Sequence, residues 1–124
     1  MSIRVLVVDD EKDFLDSIVR RLELRGMTAV GVASGVAALE ILDIQTFDVV
    51  VLDIKMPGMD GIEALREIKH QHAAVEVIVL TGHASQEFNR MGLDLGAFDY
   101  LVKPVKLDTV IERIQAACGD RGTP

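Results

Sequence analysis

The sequence predicts an α/β fold, a single doubly wound domain of five strand-then-helix units built on a parallel sheet. Three observations predict it. Five short apolar runs (Ile3–Val8, Ala29–Ala33, Val49–Leu52, Val77–Leu80 and Tyr100–Val102) are rich in Val and Ile, and polar residues do not alternate with apolar ones. That is the pattern of strands covered on both faces, as in parallel sheets. The segments between the runs carry apolar residues at helical spacing, and strict strand–helix alternation implies right-handed crossovers with helices on both faces. Finally, 124 residues is one domain's length, long enough to bury its own core.

The elements follow in order. After the first run, Phe14, Leu15, Ile18, Val19 and Leu22 form an apolar stripe with Arg20, Arg21 and Glu23 mostly off it, and Gly26 stands where that helix should stop. Ser34-Gly35 is a start signal for the second helix. Ile62, Leu65 and Ile68 make the third stripe, with Asp60 as its expected N-cap. The fourth helix is expected from Ser85 to Gly96, and Asn89 and Gly92 within it are poor helix formers. Leu107, Val110, Ile111, Ile114 and Cys118 make the last stripe, with Asp108 and Glu112 facing away. Residues 120–124 are a polar tail after a unit spanning 1–119.

Composition removes several function classes. The net charge of −7 repels phosphate backbones, which argues against direct binding to nucleic acid or an anionic membrane. One cysteine makes no internal disulfide, and no Cys/His cluster has zinc spacing. The apolar run Val5–Val8 is too short for a signal peptide or a spanning helix. The expected compartment is the cytoplasm.

In an open parallel sheet, ligands bind beyond the carboxyl ends of the strands, at a topological switch point. The first strand runs into Asp9-Asp10-Glu11, the third ends at Asp53, the fourth at Thr81 and the fifth at Lys103-Pro104; only the second ends blandly, in Ala33-Ser34. If Asp9, Asp10 and Asp53 converge to about 5 Å, each like-charge pair costs roughly 3 kcal/mol at an effective dielectric of about 20. A divalent cation removes that conflict, and an all-oxygen site of few carboxylates suits Mg²⁺. Lys103 and Thr81 would then offer a positive charge and a hydroxyl to phosphate oxygens. These are the parts that phosphoryl transfer needs, with Asp53 as the candidate nucleophile.

The chain resembles the receiver domain of two-component response regulators, the CheY-like superfamily, over nearly its whole length. Asp9-Asp10 resemble the paired acids, Asp53 the phosphoacceptor, and Met56-Pro57-Gly58-Met59-Asp60-Gly61 the loop after it. Thr81-Gly82, Tyr100 and Lys103-Pro104 resemble the switch hydroxyl, the switch aromatic and the lysine before a proline. The resemblance implies a flavodoxin-like sheet in the order 2-1-3-4-5. It also implies Mg²⁺ held by Asp10, Asp53 and the backbone carbonyl of Lys55, with Asp9 reaching the metal through water, and a cis Lys103-Pro104 bond. A sensor histidine kinase or a histidine phosphotransfer domain would supply the phosphoryl group. The output partner, or a second copy in a phosphorylation-dependent dimer, would meet the face of the fourth helix, fifth strand and fifth helix. Lys55 and His83 stand where the family sets the lifetime of the aspartyl phosphate.

Blander readings stand beside these. Asp9 and Asp10 also suit a helix start, where carboxylates favour the positive end of the dipole. Thr81, Tyr100 and Lys103, taken one at a time, are an ordinary strand-end hydroxyl, a plain aromatic and a solvated charge. Cys118 reads as a small buried residue, and His70 and His72 as a solvated face. Two rival functions share the sheet. A haloacid-dehalogenase-type phosphatase would need an aspartate at Lys55, and a flavin binder would need a phosphate-cradling loop where Asp9-Asp10-Glu11 stands. A non-phosphorylated adaptor on the same fold is the third.

Overall fold

The computed structural model describes residues 2–54, 59–82 and 86–119. Five strands alternate with five helices: β1 (Arg4–Val8), α1 (Lys12–Leu24), β2 (Thr28–Val32), α2 (Gly35–Leu42), β3 (Val49–Ile54), α3 (Met59–Gln71), β4 (Glu76–Thr81), α4 (Gln86–Asp94), β5 (Asp99–Val102) and α5 (Leu107–Cys118). All pairings are parallel, and the sheet order is β2-β1-β3-β4-β5. The doubly wound expectation and the strand order are both met.

Alternation along the strands builds two cores. Val5, Val7, Val49, Val51, Ile78 and Leu80 face α1 and α5, where they meet Ile18, Leu22, Val110, Ile111 and Ile114. Leu6, Val8, Val50, Leu52, Val77 and Val79 face α2 and α3, against Ala38, Leu42, Leu65 and Ile68. Central strands have no polar face because both sides are covered. The edge strand β2 departs from that: Thr28 and Gly31 are exposed, and Ala29 is its one buried residue.

Element ends differ from expectation by one or two residues. β3 runs on to Ile54, because ladder hydrogen bonds do not stop at the first polar side chain, whereas β4 ends at Thr81 as expected. Asp53 therefore lies one residue inside its strand rather than at its end. α3 begins at Met59, which puts Asp60 in its first turn instead of at its cap. α4 ends at Asp94, and Gly96 follows it with φ +106°; Ser85, its expected start, lies outside the described residues, as do Met56-Pro57-Gly58 and the tail 120–124. Ser34 caps α2 as expected, its hydroxyl accepting the Ala37 N–H at 3.1 Å. Cys118 is buried. His70 is exposed, but His72 is not the solvated residue its position suggested: it is half-buried, with Nε2 3.3 Å from an Asp43 carboxylate oxygen.

One close approach fixes how α3 seats on the sheet. A Cβ on Gly61 would lie 2.7 Å from Cγ1 of the buried Ile54. Helix propensity favours Gly61→Ala by about 1 kcal/mol, whereas overpacking a full core costs about 1–3 kcal/mol. The steric cost is the larger. Gly61→Ala should lower the urea midpoint, by about 1 kcal/mol in stability, with the slope unchanged.

Candidate functional site

The site forms at the carboxyl end of the sheet, where chain order reverses between β1 and β3. Val8 pairs with both Val32 and Leu52, so the next residues, Asp9 and Asp53, emerge side by side. Asp53 continues the alternation of Val49 and Val51, and Asp9 that of Val5 and Val7, so both belong to the α1/α5 face. Thr81 pairs with Val102, and Lys103 comes one residue later, donating its N–H to the Thr81 carbonyl at 2.7 Å. The Lys103–Pro104 peptide is cis.

The carboxylates of Asp9, Asp10 and Asp53 converge, with one oxygen from each lying within 4.8 Å of the others. Asp9 is 2% exposed. Its Oδ1 accepts the Glu11 N–H at 2.8 Å, a local turn bond at the entrance to α1, while its Oδ2 has no hydrogen-bond partner among the described residues. The helix-start reading thus accounts for one oxygen of this residue and not the other. Both oxygens of Asp53 are likewise buried and, among the described residues, accept no hydrogen bond of good geometry. Among the described residues, Lys103 is the cation placed against the pair, with Nζ 3.1 Å from Asp53 Oδ2 and 3.6 Å from Asp9 Oδ2.

These charges do not balance. Among the described residues, three carboxylates face one ammonium, a formal excess of two negative charges when all are ionised. Asp53 registers the strain, its carboxyl pushed up to about 6. Burial is the main cause; Lys103 beside it pulls the value down, and the charge of Asp9 pushes it up again. Buried carboxylate oxygens without hydrogen bonds are costly unless something pairs with them. A hard divalent cation with oxygen ligands fits this donor set, in charge and in chemistry, and Mg²⁺ satisfies both. Asp10 is exposed and forms the open side of the cluster.

Thr81 is fully buried and lies on the other face of the sheet, in the alternation of Val77 and Val79. Tyr100 shares that face, half-buried against its core, and its backbone N–H is held by the Asp99 carboxylate at 2.8 Å. Lys55 and His83 lie outside the described residues. One neighbour of the site was not legible as such in the sequence: the Phe14 ring on α1 has Lys103 Nζ 4.8 Å from its centroid. Arg113 on α5 pairs with Asp99, at the start of β5, at 3.1 Å.

A family model for the response regulator receiver domain matches residues 5–115. The chain belongs to that family. The response regulator MprA of Mycobacterium ulcerans (strain Agy99) is 39% identical over 116 residues, which cover 94% of this chain and 50% of MprA. The chain therefore spans about half the length of the curated relatives it matches. Among solved structures, a CheY-like receiver domain protein from Methanospirillum hungatei JF-1 is similar at a TM-score of 0.89 and 31% identity, covering 97% of this chain and 96% of that one. The Francisella response regulator 1452 receiver domain superposes at 0.87 and 33% identity, covering 94% and 97%. The DrrB receiver domain in its BeF3-activated form gives 0.83 and 31%, again covering 94% and 97%. A receiver domain of a response regulator in two-component signalling accounts for both the fold and the acidic cluster. No helix among the described residues is long and apolar enough to cross a membrane.

Proposed function

We propose that this receiver domain, residues 1–119, accepts a phosphoryl group on Asp53 from a phosphohistidine of a sensor histidine kinase or a histidine phosphotransfer domain. The observation that carries the reading is the Asp53 carboxylate, buried at the strand ends beside Asp9 and Asp10 and 3.1 Å from Lys103. A carboxylate so placed offers an anionic oxygen to phosphorus with a positive charge beside it. An Asp53 oxygen attacks in line, the P–N bond to histidine breaks, and a mixed acyl phosphate forms. Mg²⁺, when bound, neutralises negative charge spread over the phosphoryl oxygens. Asp10, Asp53 and the Lys55 carbonyl would hold it, with Asp9 acting through water. Lys103 follows the charge from the carboxylate to a phosphoryl oxygen, and the Thr81 hydroxyl, buried on the other face of the sheet, would move towards the phosphoryl group to donate to another. The domain catalyses its own phosphorylation and dephosphorylation and turns over no free substrate in the ordinary sense.

Thr81 and Tyr100 share one sheet face beside α4, which supports a readout through the face of α4, β5 and α5. Met91, Phe98 and Val102 there are exposed apolar residues, available to an output partner or to a second copy. Amide exchange on adding beryllofluoride with Mg²⁺ should change mainly across residues 82–106; a change confined to α2 and α3 would refute this switch. Lys55 over the phosphoryl group, with His83 near the path of water, would give a phosphoryl lifetime of minutes or more, and Lys55→Asn should shorten it several-fold.

Metal binding carries a pH signature. Asp53 must lose its proton to bind a cation, so apparent Mg²⁺ affinity should fall as pH drops below about 6, approaching roughly tenfold per unit. The stability of the metal-free protein runs the opposite way. The folded value lies above the ordinary 3.8, so the fold binds the extra proton and loses stability as pH rises from about 4 to about 6. Melting temperatures with and without Mg²⁺ should therefore diverge as pH rises from 5 to 7.

A further inference from the structure

We infer that Phe14 is a positioning residue for Lys103, holding its ammonium over the site by a cation–π contact that a bound metal does not compete for. The inference rests on the phosphoacceptor reading and adds a residue to it.

Lys103 is a long, flexible side chain with a strongly hydrated head, so a fixed position for Nζ requires more than one partner. Two of its partners are carboxylates, Asp53 at 3.1 Å and Asp9 at 3.6 Å. Both belong to the acidic cluster, and any cation drawn to that cluster competes with Lys103 for the same oxygens. The third partner is the Phe14 ring, 4.8 Å from Nζ to the centroid, inside the distance at which a ring quadrupole attracts an ammonium. A ring binds no hard cation in competition with oxygen ligands. The Lys103 side chain is only 25% exposed, so water screens the contact incompletely.

The fold supplies this geometry. Phe14 sits in the opening turns of α1, and helical side chains lean toward the N-terminus, which carries the ring back toward Asp9 and the sheet edge. Lys103 shares the alternation of Leu101, whose side chain packs on the α1/α5 side. The ammonium and the ring are thus placed on one face by two separate elements. Phe14 is half-buried and packs against the core there, so its ring is fixed before anything binds. Once the carboxylates turn to a cation and Asp53 carries a phosphoryl group, the ring is the part of the cradle that stays.

The test separates the quadrupole from the bulk of the ring. Phe14→Leu keeps an apolar side chain and removes the π-face; Phe14→Tyr keeps the face; mono-, di- and trifluorophenylalanine at position 14 keep the shape and weaken the face stepwise. Phosphorylation of Asp53 by acetyl phosphate should slow about three- to fivefold in Phe14→Leu, recover in Phe14→Tyr, and decline stepwise with fluorination. Mg²⁺ affinity should stay within about twofold throughout, since the ring does not touch the metal ligands. In the metal-free protein, the Lys103 ε-methylene protons should be shifted upfield by the ring, and Phe14→Leu should abolish the shift. A wild-type rate in Phe14→Leu would overturn the inference, and so would a flat fluorine series beside a slow leucine variant, which would mean packing alone. If the wild type accepted no phosphoryl group at all, the phosphoacceptor reading would fall, and the Lys103 shift would still decide the contact: present, it upholds the cradle; absent, it overturns it.

Discussion

Asp53→Asn is expected to abolish phosphoryl incorporation from acetyl phosphate while leaving the fold intact. The amide matches the carboxylate in shape, so the β3 register and the neighbouring Leu52 and Ile54 are undisturbed, but it presents no anionic oxygen to phosphorus. The same change should stabilise the metal-free protein at pH 7. It removes a buried charge whose carboxyl is pushed up to about 6 by burial and by Asp9. Lys103 loses one partner in exchange, and solvent at the rim of the site screens part of the gain, so about 1 kcal/mol is expected. Labelling and thermal melts on one preparation check both effects. Incorporation at the wild-type rate, at another residue, would show that Asp53 is not the acceptor.

Lys103→Ala should separate phosphoryl transfer from metal binding. Nζ lies 3.1 Å from Asp53 and 3.6 Å from Asp9, so removing it deprives the transferring group of a protein cation placed against the acceptor. Losing a single preorganised charge partner of this kind costs roughly 100- to 1,000-fold in rate. Mg²⁺ binding should move the other way. With the ammonium gone, the carboxylate cluster is more negative and repels an incoming cation less, so the dissociation constant should fall. A variant that phosphorylates slowly and binds Mg²⁺ more tightly is the expected pair of results. Weakened Mg²⁺ binding would mean that Lys103 organises the carboxylates rather than competing with the cation. The two measurements are independent, since isothermal titration reads the metal without any phosphodonor.

Much of this was legible in the sequence because buried strands leave a coarse mark. Val49–Leu52 and Val77–Leu80 read as strands from apolar content alone, and the residue that breaks each run marks the end of the sheet where ligands bind. The runs stop too early for the same reason. Backbone hydrogen bonding continues through Asp53 and Thr81, and apolar content does not report it. Asp60 read as a cap because its residue type suits one, but α3 begins a residue earlier. The convergence of Asp9, Asp10 and Asp53 followed from topology, since each ends or follows a strand at the switch point.

What was not legible is contact between residues whose letters have ordinary uses. Phe14 stands in the apolar stripe of α1 and reads as core, and nothing in its spacing tells that a lysine just past β5 reaches its face. His72 follows a helix end beside polar residues and reads as solvated, whereas its burial depends on how the end of α3 lies against Asp43 at the end of α2. Side-chain contacts across elements far apart in the chain leave no local pattern.

The most direct test of the phosphoacceptor assignment is to locate the phosphoryl group on the wild-type protein. After reaction with acetyl phosphate and Mg²⁺, borohydride reduction converts an acyl phosphate to the corresponding alcohol, and peptide mass spectrometry then identifies the altered side chain. The expected result is a single reduced residue at position 53, absent when Mg²⁺ is chelated. Reduction at Asp9 or Asp10, or a stable phosphate on Thr81 that survives alkaline hydroxylamine, would contradict it.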